Sequence, residues 1–94
     1  MCRTLAHLQE GQDIPQGAIC LIRHYPEKEN GSFLLYLRAE RDFPFADSKK
    51  EGEKGMLECS VVDMEGDPET IRKGAKFVIP YKRFIEGSWD DSGY

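Results

Sequence analysis

Apolar positions along this chain alternate with polar ones in four short runs. That period of two is the signature of β-strands. The first run, AICLIRHY (Ala18 to Tyr25), places Ile19 and Leu21 on one face and Cys20 and Ile22 on the other. Apolar residues on both faces predict a strand covered twice. The second, FLLYLRA (Phe33 to Ala39), sends Phe33, Leu35 and Leu37 one way and Leu34, Tyr36 and Arg38 the other. Between them Asn30-Gly31 is a strong hairpin signal and predicts antiparallel pairing.

The third run, GMLECSVVDM (Gly55 to Met64), puts Leu57, Cys59 and Val61 inward. Glu58 and Ser60 are expected to face water, with Val62 following them. The fourth run, AKFVIPYKRF (Ala75 to Phe84), alternates from Ala75 through Phe77 and Ile79. Pro80 cannot donate to a ladder, so it belongs at an edge, a bulge or a corner. FIEGSW (Phe84 to Trp89) is expected to form a fifth short strand. Near the N-terminus, Leu5 and Leu8 stand i, i+3, which predicts a short helical turn docked on the core.

The remaining segments are punctuation. QDIPQG (12–17) breaks regular structure at Pro15 and Gly17, and Asp67-Pro68 lies in a turn-rich link. Residues 40–54 form a long polar connection in which Phe43 and Phe45 flank Pro44 amid charges. Loops of that length are often functional. The expected fold is therefore mostly β: a small antiparallel barrel of five or six short strands, residues 1–94 forming one domain. Residues 1–12 are its arm and 90–94 a frayed tail.

Composition narrows the function classes. A chain of 94 residues supports one modest core. Seventeen Asp and Glu against 13 Lys and Arg leave a net charge of -4, which argues against a dedicated binder of duplex DNA. No apolar run approaches a membrane span. Three widely spaced cysteines, Cys2, Cys20 and Cys59, do not read as a disulfide framework, and the expected compartment is the cytoplasm.

Candidate chemistries fail on spacing or context. Cys20 and His24 share a strand face about 13 Å apart, too far to chelate one ion. The carboxylate pairs Glu65/Asp67 and Asp90/Asp91 sit in a turn and the tail, and no phosphate-binding glycine loop exists. No catalytic residue, metal or cofactor is assigned. What stands out is an interleaving of aromatics and cations: Tyr81, Lys82, Arg83 and Trp89, together with the Phe43–Phe45 loop. Such residues anchor protein interfaces and also stack nucleic-acid bases. The leading expectation is a non-catalytic binding or adaptor module with a protein partner, contacting it through Phe43, Phe45, Tyr81, Lys82, Arg83 and Trp89. RNA is the alternative partner. A third reading, a small-molecule binder or enzyme, rests on Cys2 and His7.

The stretch GMLECSVVDMEGDPETIRKGAKFVIPYKRFIEGSW, about 35 of the 94 residues, resembles the C-terminal β-barrel domain of elongation factor Tu. The correspondence runs from the Glu58–Asp63 strand through the link to Lys73, then Gly74, Phe77 and Ile79, then a return from Arg83 to Trp89. The resemblance implies a barrel without a GTPase domain, like small stand-alone bacterial proteins similar to that domain. It departs from the family where Pro80-Tyr81-Lys82 replaces Arg-Glu-Gly. It departs again where the return Gly-Arg-Thr-Val-Gly becomes Lys82 to Gly87, and where Glu29-Asn30-Gly31 stands for Gly-Gly-Arg. The family's transfer RNA and nucleotide-exchange contacts are therefore not assumed for these residues, and for the RNA alternative the resemblance implies a translation-related RNA-binding barrel.

Overall fold

The computed structural model describes residues 4–25, 31–66 and 71–89. Cys2, Asn30, the Asp67-Pro68 turn and the tail with Asp90 and Asp91 lie outside the described residues. The four alternating runs form β1 (Ile19–His24), β2 (Phe33–Ala39), β3 (Met56–Glu65) and β4 (Lys76–Pro80). They pair antiparallel in the order β1-β2-β3-β4, a curled half-barrel. Its inner face buries Cys20, Ile22, Leu35, Leu37, Leu57, Cys59, Val61 and Ile79.

A β-bulge at Val62 sets the rest of β3. Leu37 pairs with Val61 but Tyr36 pairs with Asp63, so Val62 is the extra residue. Strict alternation would turn Asp63 toward the core. The extra residue resets the parity, leaving Asp63 level with Tyr36 and packing Met64 against the core opposite Leu35. Ser60 departs from expectation: it is buried although it stands on the outer face.

The expected fifth strand is helical, and so is the end of the fourth run, Tyr81 to Phe84, expected as a continuation of β4. Residues Tyr81–Gly87 form α1, entered directly from Pro80. Tyr81, Phe84, Ile85 and Ser88 are all buried, and they recur at i, i+3, i+4 and i+7. One helical stripe buries four side chains here; a strand would have turned half of them out. Gly87 sets how closely the helix approaches: a Cβ there would lie 2.6 Å from the Leu21 carbonyl oxygen and 3.3 Å from Cys20 Cβ.

The expected N-terminal helical turn is also absent among the described residues. The arm forms neither helix nor strand over residues 4–9, because its donors go elsewhere. Ala6 N–H donates to the Ile19 carbonyl (3.0 Å) and His7 N–H to the Ser88 carbonyl (2.8 Å). Leu8 N–H donates to Ser88 Oγ (3.0 Å), which in turn donates to the Ile85 carbonyl (2.7 Å). Leu8 is buried as expected, without the helix.

Substituting Gly87 by Val drives a side chain into the β1 backbone. Urea unfolding should show a loss of about 1–3 kcal/mol, the usual range for overpacking. Glu86→Ala, exposed on the same turn, should change stability by less than about 0.5 kcal/mol.

Candidate functional site

The 40–54 connection is pinned rather than free. Ile14 and Phe43 exchange backbone hydrogen bonds of 2.8 and 2.7 Å. Asp42 Oδ1 accepts from Gln16 N–H (2.7 Å), and Asp13 Oδ1 accepts from Phe45 N–H (2.8 Å). Two 3₁₀ turns follow, Phe45–Lys49 and Gly52–Gly55, each entered from an extended residue. Ser48 Oγ closes the first by donating to the Phe45 carbonyl (2.6 Å).

The pinning brings three of the expected contact residues together. Phe43 stacks on Tyr81 with ring centroids 6.0 Å apart, and Phe45 tilts against the same ring at 5.5 Å. Tyr81 donates its hydroxyl hydrogen to the Gln12 carbonyl and accepts from Gly11 N–H at 3.1 Å. Burial raises its phenol pKa; the Gly11 hydrogen bond opposes the shift, and Glu10 and Asp13 add to it. Phe43 and Tyr81 are buried, so their rings act as core and hold the loop on α1. Phe45 is half-buried and keeps one side open, with Lys49 Nζ 5.2 Å from its ring centroid.

The other expected residues divide. Lys82 is exposed beside this cluster. Arg83 is exposed and reaches back to the Arg23 carbonyl (3.3 Å). Trp89 is 52% exposed at the far end of α1. Its indole N–H donates to the Leu8 carbonyl, and its ring lies 4.9 Å from that of His7. His7 itself adopts a left-handed backbone, φ 53°. The 81–89 stretch is thus not one surface. Tyr81 and Lys82 belong with the loop, Trp89 with the arm.

Around Phe45 the surface forms an open groove of about 340 Å³. Tyr81 and Pro80 line it, Lys49 and Lys82 supply positive charge, and Glu10 is its one carboxylate. Neither lysine forms an ion pair among the described residues. Lys49 could not have been placed here from the sequence, because its position depends on the contact between distant Asp13 and Phe45.

Nucleophilic chemistry finds little support in the described cysteines. Cys20 and Cys59 are free and buried. Burial pushes the Cys20 thiol well above its ordinary value, with Cys59 adding and Arg83 opposing. Burial alone raises Cys59 from 9.0 to about 12. His24 packs its ring edge-on against Phe77 at 5.4 Å. Among the described residues, no three His, Cys, Asp or Glu side chains gather as a metal site. Nor, among the described residues, is any helix long and apolar enough to cross a membrane. No protein-family model, curated protein or solved structure matches this chain.

Two outcomes follow. Phe43→Ser should cost about 3 kcal/mol or more in urea unfolding, as large-to-small core changes do, and Phe45→Ser clearly less. The Cys59 thiol is held protonated in the folded state, so its contribution to stability is complete below pH 9 and is lost as pH rises from 9 toward 12. Unfolding free energy measured across that window should fall, and Cys59→Ala should flatten the slope.

Proposed function

We propose that this chain is a non-catalytic binding module that engages another protein through the groove around Phe45. The observation that carries this reading is the composition of that groove. An aromatic ring is kept half-open on a rigid support, flanked by two lysines without ion-pair partners among the described residues. Aromatic anchors with adjoining cations are what interfaces use, because a rigid ring gives contact area at little entropic cost. The local positive charge contrasts with the net charge of -4 and favours an acidic segment on the partner.

The closed barrel expected from the strand pattern is replaced in this reading by a half-barrel sealed by α1. The return, which the resemblance to the elongation factor Tu barrel implies to be a strand, is helical through Gly87. Two free, buried cysteines support work in a reducing compartment such as the cytoplasm. RNA is a second reading, favoured by the lysine over the Phe45 ring, an arrangement that also suits a stacked base.

The test is a double substitution, Lys49→Glu with Lys82→Glu. Both side chains are exposed, so the unfolding midpoint should stay within about 2 °C of the parent. Partners captured from the source cell by the parent, and identified by mass spectrometry, should be lost with the double variant. Retained capture would overturn the groove as the contact surface. Binding to single-stranded RNA that weakens steeply with salt would favour the RNA reading over the protein one.

A further inference from the structure

The Phe45 ring at the centre of the groove is covered by one of the groove's own cations. Phe45 is held through both of its backbone groups: its N–H donates to Asp13 Oδ1, and its carbonyl accepts from Ser48 Oγ. Its ring tilts at 58° against that of Tyr81. Lys49 is the last residue of the same 3₁₀ turn, and its ammonium lies over the Phe45 ring. The neighbouring Lys50 is committed instead to an ion pair with Asp47 (2.9 Å). Lys82 lines the groove from α1, so the two uncommitted ammonium groups come from different elements.

This cover decides what the groove selects. An apolar side chain that stacks on Phe45 must move the Lys49 ammonium off the ring, and the cation–π attraction is lost. A neutral ligand offers nothing in exchange. A ligand with a carboxylate near its ring gives the displaced ammonium a charge-assisted hydrogen bond, which offsets the loss. Lys82 takes a second carboxylate by the same chemistry. Glu10, the groove's own carboxylate, can accept from a backbone N–H but repels a chain of phosphates. Together with the net charge of -4, this favours a peptide over a nucleic acid.

We infer that the groove recognises an acidic peptide segment of defined chemistry. One aromatic side chain of the segment stacks on Phe45, and carboxylates two positions to either side of it take Lys49 and Lys82. The spacing follows from an extended chain, in which residues i−2, i and i+2 share a face. Lys49 is the selecting residue: it holds the ring against neutral ligands and yields it to acidic ones. The inference rests on the binding role proposed above and adds the chemistry of the segment bound.

The test is an amide-resonance titration of the full chain with the capped pentapeptides Glu-Gly-Phe-Gly-Glu, Gln-Gly-Phe-Gly-Gln and Glu-Gly-Ala-Gly-Glu, and with hexauridylate. The first should give saturable shifts at Phe45, Ser48, Lys49 and Lys82, with a midpoint on the order of 1 mM for a short flexible ligand. The Gln and Ala versions should each bind roughly fivefold more weakly or worse. Lys49→Ala carries the decision. It should weaken the Glu peptide yet strengthen the Gln peptide by about threefold, because the ring is then uncovered. Lys82→Ala should weaken the Glu peptide without strengthening the Gln peptide. Both lysines are exposed, so the unfolding midpoints should stay within about 2 °C of the parent. The inference is overturned if the Glu peptide fails to saturate or binds no tighter than the Gln peptide. It is equally overturned if Lys49→Ala leaves the Gln peptide no tighter, or if hexauridylate outmatches the Glu peptide. In those cases the groove still stands as a contact surface when partner capture is lost with the Lys49→Glu, Lys82→Glu variant. Capture retained by that variant removes the binding role itself, and this inference with it.

Discussion

The close approach of α1 to the edge of β1 is the contact on which the other features depend. At Gly87 the helix comes so near the Leu21 carbonyl that no side chain fits between them. That places Ser88 where its carbonyl and hydroxyl receive His7 and Leu8 from the arm. The arm in turn donates to Ile19 on β1. A free strand edge is thereby covered by a helix end and the arm, which removes an aggregation hazard without adding a strand.

Tyr81 plays the matching part at the other end of the helix. Its ring is buried between the loop and the core, while its hydroxyl satisfies backbone groups at Gly11 and Gln12. An amphipathic side chain of this kind can join three segments at once: apolar contact goes to Phe43 and Phe45, hydrogen bonds to the arm. The rigid support beneath the Phe45 groove therefore comes from a residue at the start of α1. Loop and helix would be expected to loosen together if that ring were lost.

The strands were legible because burial on one face leaves a period of two; the first three runs match β1 to β3 closely, while the fourth gives β4 only as far as Pro80 and its last four residues open α1. Even the bulge is written in the order Val61-Val62-Asp63-Met64, where the alternation slips by one. The helix was missed because Phe84, Ile85 and Trp89 are strong strand formers, and the composition hid a stripe at helical spacing. The arm failed in the opposite way. Leu5 and Leu8 have helical spacing, but the donors of Ala6, His7 and Leu8 are claimed by partners far along the chain. The candidate surface was half legible. Phe45 and Lys82 meet at the groove, yet the burial of Phe43 rests on its pairing with Ile14, which no local pattern announces.

Among the described residues the outer side of β4 is the remaining free edge, and its chemistry bears on the proposed binding role. Val61 donates to the Ala75 carbonyl and accepts from Gly74 N–H. By alternation, Phe77 and Ile79 turn their backbone groups toward β3, and Lys76, Val78 and Pro80 turn theirs outward, while the Ala75 N–H donates to the Arg72 carbonyl. Pro80 has no N–H to offer, and Lys76 places a charge beside the edge. Both are devices that blunt strand addition. Val78, 49% exposed, is left as the edge's apolar residue between them. A partner gains little from extending this sheet. In the proposed binding role, contact therefore falls to side chains, as at the groove around Phe45.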